Sequence, residues 1–399
     1  MTTRLRLVAA ACALAMICPA LAAAADPAAV KTINIRPILD KNGIYELASD
    51  LRAMVADESG KHTAFYFVDS LGQYTLYKDG KKLGSNRGEQ RFRVPYNVPP
   101  IFFFTKNGRL VYSLNGRDLW VDGRRISTVS TQNPYLFSVE AAVEHDGALY
   151  YPTNQAIMRY DLKSGKRQQL YNHPGKQIIS MRMRNGHAYY TLKENIGIHL
   201  YKDGKPVVTT EIDNPWNFLI TAPGDVYTFG RTSDDRYTVL KNGAVTFTGK
   251  GLGGFLFEEP GAPPAVWHVG YVPLPMGDAD VSLYRNGTLV NTSSLGNIEG
   301  FMAFQNGHYA ARAVSRGSSP ENMGFLYDGK FSGELFPFLD KKDFQGVQFA
   351  SDNSAYMRNW KDGRWLLYRN GTPILKDTFQ NVWYFRVVNG TVRAYGAGL

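Results

Sequence analysis

An all-β fold, a closed ring of four-stranded blades, is what this chain of 399 residues predicts, and three features carry the prediction. Asp-Gly, Asn-Gly and Ser-Gly turns recur at Gly80, Gly123, Gly165, Gly204, Gly243, Gly287, Gly329 and Gly371, at intervals of 43, 42, 39, 39, 44, 42 and 42 residues. A period near forty marks a repeat architecture. Their flanks agree: Leu76-Tyr77-Lys78-Asp79-Gly80, Leu200-Tyr201-Lys202-Asp203-Gly204, Leu283-Tyr284-Arg285-Asn286-Gly287 and Leu367-Tyr368-Arg369-Asn370-Gly371 are one unit in four copies. A second turn series lies between, at Gly60, Gly108, Gly147, Gly186, Gly224, Gly307, Asn353 and Gly390, with Gly261 in a looser form. Asx-Gly pairs suit two-residue hairpins because both central residues need positive φ. Each repeat thus holds two hairpins, or four strands.

Four antiparallel strands in about forty residues describe a propeller blade, which must stack on neighbours to bury both faces. Strand content fits, as in Ala64-Phe65-Tyr66-Phe67-Val68 and Gly186-His187-Ala188-Tyr189-Tyr190-Thr191. Eight repeats run from about residue 51 to 376. One more hairpin follows, from 383 to 395 around Gly390. At the start, segments 32–39 and 44–47 flank Asn42-Gly43 as a further half-unit. The two halves complete one blade from both termini, so the count is eight or nine. No helix longer than about two turns is expected.

Residues 1–25 read as a secretory signal: Arg4 and Arg6, an apolar core from Leu7 to Ile17, then small residues before Asp26. The alternative of a membrane anchor is disfavoured by Pro19 and the alanine run. Residues 26–399 then form a single propeller domain, released to a bacterial periplasm or the medium. Both cysteines, Cys12 and Cys18, fall in the signal, so no disulfide, thiolate nucleophile or cysteine–zinc site is expected beyond it. The Asn-X-Ser/Thr triplets at Asn286, Asn370 and Asn389 are more simply hairpin turns followed by Thr. The net charge is +10, and +8 without residues 1–25. That surplus favours an acidic partner, an envelope protein face or an acidic polysaccharide, or serves solubility alone. Nucleic acid is disfavoured by the export signal. A monomer is expected.

No catalytic constellation emerges. Gly249-Lys250-Gly251-Leu252-Gly253-Gly254 matches a dinucleotide fingerprint in letters, but Phe255-Leu256-Phe257 reads as a strand and Pro260, Pro263 and Pro264 deny the helix that chemistry needs. A loop between blades is expected there. Seven histidines are scattered, and His187 and His308 follow the same turn in different repeats, which points to a structural role. Adjacent carboxylates on a strand face opposite sides, so Glu258-Glu259 and Asp234-Asp235 are read as solvated loops. No cofactor and no metal site is expected.

Because strands alternate direction, both tight-turn series share one face of the ring. The longer, irregular links share the other, which is where a site is expected. The expected binding residues are Arg91, Arg93 and Tyr96 in the link 84–100, Trp216, Arg231, Arg236, Arg316, Arg358 and Trp360. For each Trp, packing between blades is the competing reading.

The stretch Ala56-Asp57-Glu58-Ser59-Gly60-Lys61-His62-Thr63-Ala64-Phe65, followed by Leu76-Tyr77-Lys78-Asp79-Gly80, resembles the repeat of TolB-like (WD40-like) periplasmic propellers. Gly147-Ala148-Leu149-Tyr150 with Met158-Arg159-Tyr160-Asp161-Leu162 echoes it. The Gly-His and Trp-Asp signatures of WD repeats are absent. The resemblance implies fold and compartment only, since the repeat serves scaffolds, hydrolases and binding proteins alike. Two function classes follow: a non-catalytic exported propeller that binds a partner on its irregular face, and a carbohydrate-active lyase or glycosidase with its site in the central funnel.

Overall fold

The computed structural model describes residues 30–41, 51–68, 73–87, 101–114, 118–128, 142–194, 197–208, 217–231, 236–274, 279–291, 295–315, 323–333, 347–361 and 363–398. Among them the strands form nine sheets, eight of four strands and one of three, a nine-bladed β-propeller. Blades 1 to 8 span residues 51–87, 101–128, 143–172, 177–208, 219–250, 252–291, 295–333 and 348–374. In each, strands pair antiparallel in sequence order from inner to outer.

Blade 9 closes the ring. Its inner hairpin is Phe379–Val388 with Thr391–Gly398, and Val30–Asn34 adds parallel to the latter, Val30 opposite Val392 and Asn34 opposite Gly396. The N-terminal segment therefore supplies the closing strand, as the sequence predicts. The expected strand over 32–39 is corrected, however: it ends at Asn34, and Arg36–Lys41 is a short helix. The Asn34 Oδ1 accepts from the Arg36 amide at 2.9 Å, and Pro37 sits in the first turn, where a missing N–H is harmless. Asn42-Gly43 lies outside the described residues.

Nine apolar clusters, one at each junction between successive blades, hold the ring. Phe65, Trp383 and Tyr395 join blades 9 and 1, Tyr66 and Phe102 join 1 and 2, and Leu149 and Val121 join 2 and 3. The series continues through Ile157 and Tyr190, Tyr189 and Phe218, Phe229 and Leu256, Trp267 and Ile298, and Ala310 and Met357. It ends with Tyr356 and Phe385 between blades 8 and 9. Aromatic residues dominate because large flat side chains fill the wedge between diverging sheets.

The tight turns have the predicted geometry. At Asp79-Gly80 both residues take positive φ, 50° and 78°, and the same holds for the outer turns at Asp122, Asp203, Asn242, Asn286, Asp328 and Asn370. In those seven blades the Asx side chain accepts a hydrogen bond, at 2.8–3.0 Å, from an amide at the start of the blade's second strand. This explains Asp or Asn rather than Gly there: the residue tolerates the left-handed backbone and satisfies a strand-end donor. The histidines of the inner turns use the same carboxylates. His62 Nδ1 lies 2.9 Å from Asp79, His187 Nδ1 2.5 Å from Asp203, and His308 Nδ1 2.6 Å from Asp328, each within its own blade. Their role is structural, as expected.

The glycine run is corrected from a loop to strand. Ala244–Lys250 and Leu252–Glu259 are strands of blades 5 and 6, and Gly251 alone links them. Its glycines make room for rings. A Cβ on Gly253 would stand 2.3 Å from Phe229, one on Gly254 2.0 Å from Tyr271, and one on Gly249 2.5 Å from Tyr237. Gly270 clamps Tyr237 from blade 6, its added Cβ 2.5 Å from the hydroxyl. Gly270→Ala should destabilise by about 1–3 kcal/mol through overpacking. Because the hydroxyl is the first atom met, Tyr237→Phe in the same chain should restore part of that loss. Urea unfolding of the two variants checks it, and an unchanged midpoint for Gly270→Ala would show the clamp is slack.

Candidate functional site

The irregular face lies at the ends of the blades opposite the turns, where links cross from second to third strand and from one blade to the next. Arg231 and Arg236 stand there, at the facing ends of Val226–Arg231 and Arg236–Lys241 in blade 5, both exposed. Arg91, Arg93, Tyr96, Trp216 and Arg316 lie outside the described residues. Trp360 is in Ala355–Lys361 of blade 8, paired in register with Trp365. Arg358 is two residues earlier and is not on the open face. It is 4% exposed, donates through Nη1 to the Trp383 carbonyl of blade 9, and its guanidinium sits 4.3 Å from the centre of the Trp365 ring. Strand alternation decides this: an even step from the buried Tyr356 keeps Arg358 on the face turned to the next blade. The expected Arg358 contact with a partner is corrected to a junction between blades.

The sequence missed a polar cluster at the irregular ends of blades 3 and 4. The link after Arg167–Asn172 carries His173 and Lys176, and the link after His187–Lys193 carries Glu194. Tyr201, on Ile198–Lys202, donates its hydroxyl to Glu194, whose same oxygen accepts from Lys176 Nζ at 3.1 Å. His173 Nε2 lies 2.6 Å from the Tyr190 hydroxyl, its ring 5.3 Å from that of Tyr201. Tyr190 stacks between Tyr171 at 6.2 Å and Tyr201 at 5.7 Å. Tyr171 in turn reaches Asp203 at 3.3 Å, linking the cluster to the turn of blade 4.

The electrostatics follow from these contacts. The Tyr201 hydroxyl and the Lys176 ammonium hold the Glu194 carboxyl below its ordinary range. Burial, with Lys176 nearby, keeps the His173 imidazole neutral by lowering its proton affinity. Burial and the Glu194 carboxylate push the Tyr201 phenol up to about 12, and burial pushes Tyr190 up further. At neutral pH the cluster therefore presents an ionised, half-buried carboxylate, an ammonium and a neutral imidazole over stacked phenols, a platform for hydrogen bonds to a polar ligand. A signal for it was present in His173-Pro174-Gly175-Lys176, a link short enough to fix its side chains. Among the described residues no three His, Asp or Glu gather as metal ligands.

Several carboxylates of the tight-turn face are taken up by cations and amides beside them. Asp122 takes both Lys78 from blade 1, at 3.1 Å, and Arg109, at 3.0 Å. Glu258 takes Arg184 at 2.7 Å and the Ala222 amide at 2.6 Å. Glu259 takes Arg285 and the Trp267 indole, each at 2.7 Å. The expected solvated loop at Glu258-Glu259 is thus corrected to a strand end sewn to blades 4, 5 and 6. Asp234-Asp235 lie outside the described residues.

No family model and no curated protein matches the chain. Among solved structures it is similar to a computationally designed protein, Ika8, at 13% identity over 81% of this chain and 98% of that one, with a TM-score of 0.44. It is similar to a eukaryotic initiation factor at 11% identity, over 86% and 89%, with a TM-score of 0.48. The third is dipeptidyl peptidase 4 of Porphyromonas gingivalis, at 11% identity over 86% and 61%, with a TM-score of 0.44. At these values no family membership and no activity passes to this chain.

Proposed function

We propose that the chain is an exported, non-catalytic propeller that binds an acidic partner, a protein face or an anionic glycan, across the irregular ends of blades 3 to 5. The observation that supports this reading is the set of exposed and half-exposed charged groups at the irregular ends. Arg231 and Arg236 are exposed at the irregular end of blade 5, and the link after the second strand of blade 4 contributes Glu194 to a half-exposed pair with Lys176. Exposed charge pairs are screened beyond roughly 8–10 Å at moderate salt, so affinity should fall as salt rises. Arg231→Glu with Arg236→Glu should weaken capture of the partner from an envelope extract by about tenfold or more. The turn-face pair Arg285→Glu with Arg369→Glu should do less. A larger loss from the turn-face pair would place the partner on the other side.

A second reading, a carbohydrate-active lyase or glycosidase, is favoured by the Glu194, His173, Tyr190 and Tyr201 cluster. It predicts sugar release from a polysaccharide panel that Glu194→Gln abolishes while the fold persists. Release unaffected by that substitution would rule the cluster out as its centre.

A further inference from the structure

We infer that the outer rim of blades 1 to 4 is a second surface, built to hold a flexible, linear, carboxylated or sulfated polysaccharide. It does not depend on what the irregular face binds. The outer turns of these blades read Lys78-Asp79-Gly80-Lys81-Lys82, Val121-Asp122-Gly123-Arg124-Arg125, Asp161-Leu162-Lys163-Ser164-Gly165-Lys166-Arg167 and Lys202-Asp203-Gly204-Lys205, ten cations against four aspartates. The matching turns of blades 5 to 8, Lys241-Asn242-Gly243, Arg285-Asn286-Gly287, Asp328-Gly329-Lys330 and Arg369-Asn370-Gly371, hold four cations and one aspartate. The turns of blades 1 to 4 thus carry a net +6, those of blades 5 to 8 a net +3.

Side-chain direction sharpens the contrast. Each of the four aspartates is engaged by donors of its own blade. Asp79 caps the Thr63 amide, Asp122 that of Leu110 and Asp203 that of Ala188, while Asp161 accepts from the Ser164 amide and hydroxyl. Lys81, Lys82, Arg124, Arg125, Lys163, Lys166, Arg167 and Lys205 are all exposed. Lys163 and Lys166 lie in the turn of blade 3, and the other six stand at the start of the outer strands. Contacts join the belt across blades 1 to 3: Lys78 reaches Asp122, the Arg124 guanidinium lies against Gly165, and Arg167 donates to the Ile126 carbonyl at 2.9 Å.

The shape of the rim selects the ligand. The arc curves around the perimeter of the turn face, so a flexible chain follows it from blade to blade. Duplex DNA, with a persistence length of about 50 nm, does not wrap it cheaply. Single-stranded nucleic acid binds largely by stacking on exposed aromatic rings. The large apolar side chains exposed among the described residues are Val207, Val245, Leu252, Leu289 and Val290, none of them aromatic. A flexible polyanion without bases, gripped by charge alone, is the occupant these features fit.

The test uses polygalacturonate as the probe, titrated against the full-length mature chain at about 50 and 200 mM salt. An oligonucleotide and anionic phosphatidylserine vesicles serve as comparison ligands. Lys82→Gln, Arg125→Gln, Lys166→Gln and Lys205→Gln together remove one cation from each blade of the arc. Lys31→Gln, Lys250→Gln, Lys330→Gln and Lys376→Gln, all exposed and outside the arc, remove the same charge elsewhere. Melting curves confirm that both variants fold; the single-site variants replace any that does not. The arc variant should lose at least tenfold in affinity and most of its salt dependence, and the second variant less than about threefold. Equal losses would mean bulk charge rather than a surface. Tighter binding of the oligonucleotide or the vesicles, or no binding of polygalacturonate, would overturn the assignment. Because neither variant touches Arg231 or Arg236, failure of the irregular-face reading registers separately from failure of the rim.

Discussion

Removing residues 26–48 should lower the melting temperature of the chain that begins at residue 26 by well over 10 °C, or leave it unable to fold. Two losses combine. Five ladder positions between Val30–Asn34 and Thr391–Gly398 disappear, exposing the edge of a strand that now has a partner on each side. Ile35, fully buried against Phe65, Trp383 and Tyr395, leaves a void at the junction of blades 9 and 1. Burial of one such side chain contributes about 1.5–3 kcal/mol, and Leu/Ile→Ala in a core costs about 2–5 kcal/mol. Ile35→Ala alone should therefore lower stability by about 2–5 kcal/mol without removing the strand. In a ring, moreover, each junction supports its two neighbours, so opening one also frees blades 1 and 9 to splay. An unchanged melting temperature after the deletion would show that the closing strand is an appendage.

His268 should make the fold acid-sensitive in a window set by its burial. It lies on Ala265–Pro273 of blade 6, stacked flat on Tyr284 at 4.8 Å and 4.5 Å from the Phe247 ring of blade 5. It is 2% exposed, and its Nε2 has no hydrogen-bond partner. Burial lowers its pKa from 6.5 to about 4. A cation among aromatic rings recovers some energy from their faces, but desolvation is the larger effect. Between those values the unfolded chain binds the proton and the folded chain does not. Stability is therefore fully present above about pH 6.5, falls as the pH drops toward 4, and levels off below. The whole span is worth about 3 kcal/mol. Unfolding of the wild type and His268→Phe at pH 7.5 and 4.5 isolates this from the surface carboxylates, which both proteins share. The variant should gain roughly 2–3 kcal/mol relative to wild type at the lower pH. A difference independent of pH would mean His268 is solvated or paired.

Much of the architecture is legible in the sequence because it is local. The turn at Asp79-Gly80 needs positive φ at two successive positions, and only Gly, Asn and Asp meet that need readily, so the repeat is written in its own punctuation. The same logic located both turn series and the terminal half-units that close the ring. Where two local readings competed, the sequence failed. Around Asn42-Gly43 the turn suggested a hairpin, yet Pro37 and the Asn34 cap had already started a helix. In Gly249–Gly254 the glycines suggested a loop. Their reason lies in Tyr237, Phe229 and Tyr271, whose rings occupy the space a side chain would need.

What a charged residue does depended on which blade it meets, and no spacing rule reports that. Arg231 and Arg358 look alike in sequence, both beside a link. One ends exposed and the other under Trp383, because strand parity and the neighbouring blade fix the direction of the side chain. The His173, Lys176, Glu194, Tyr190 and Tyr201 cluster joins two blades whose contributions are separated by a strand or more. The rim belt is the converse case. Every cation in it was visible in the sequence, but that the four aspartates beside them are engaged by amides of their own blades is a consequence of the folded turn. The sequence by itself determined the repeat, the turns and the number of charges. The packing of one blade on the next decided which charges are exposed, since burial depends on neighbours that only the closed ring brings together.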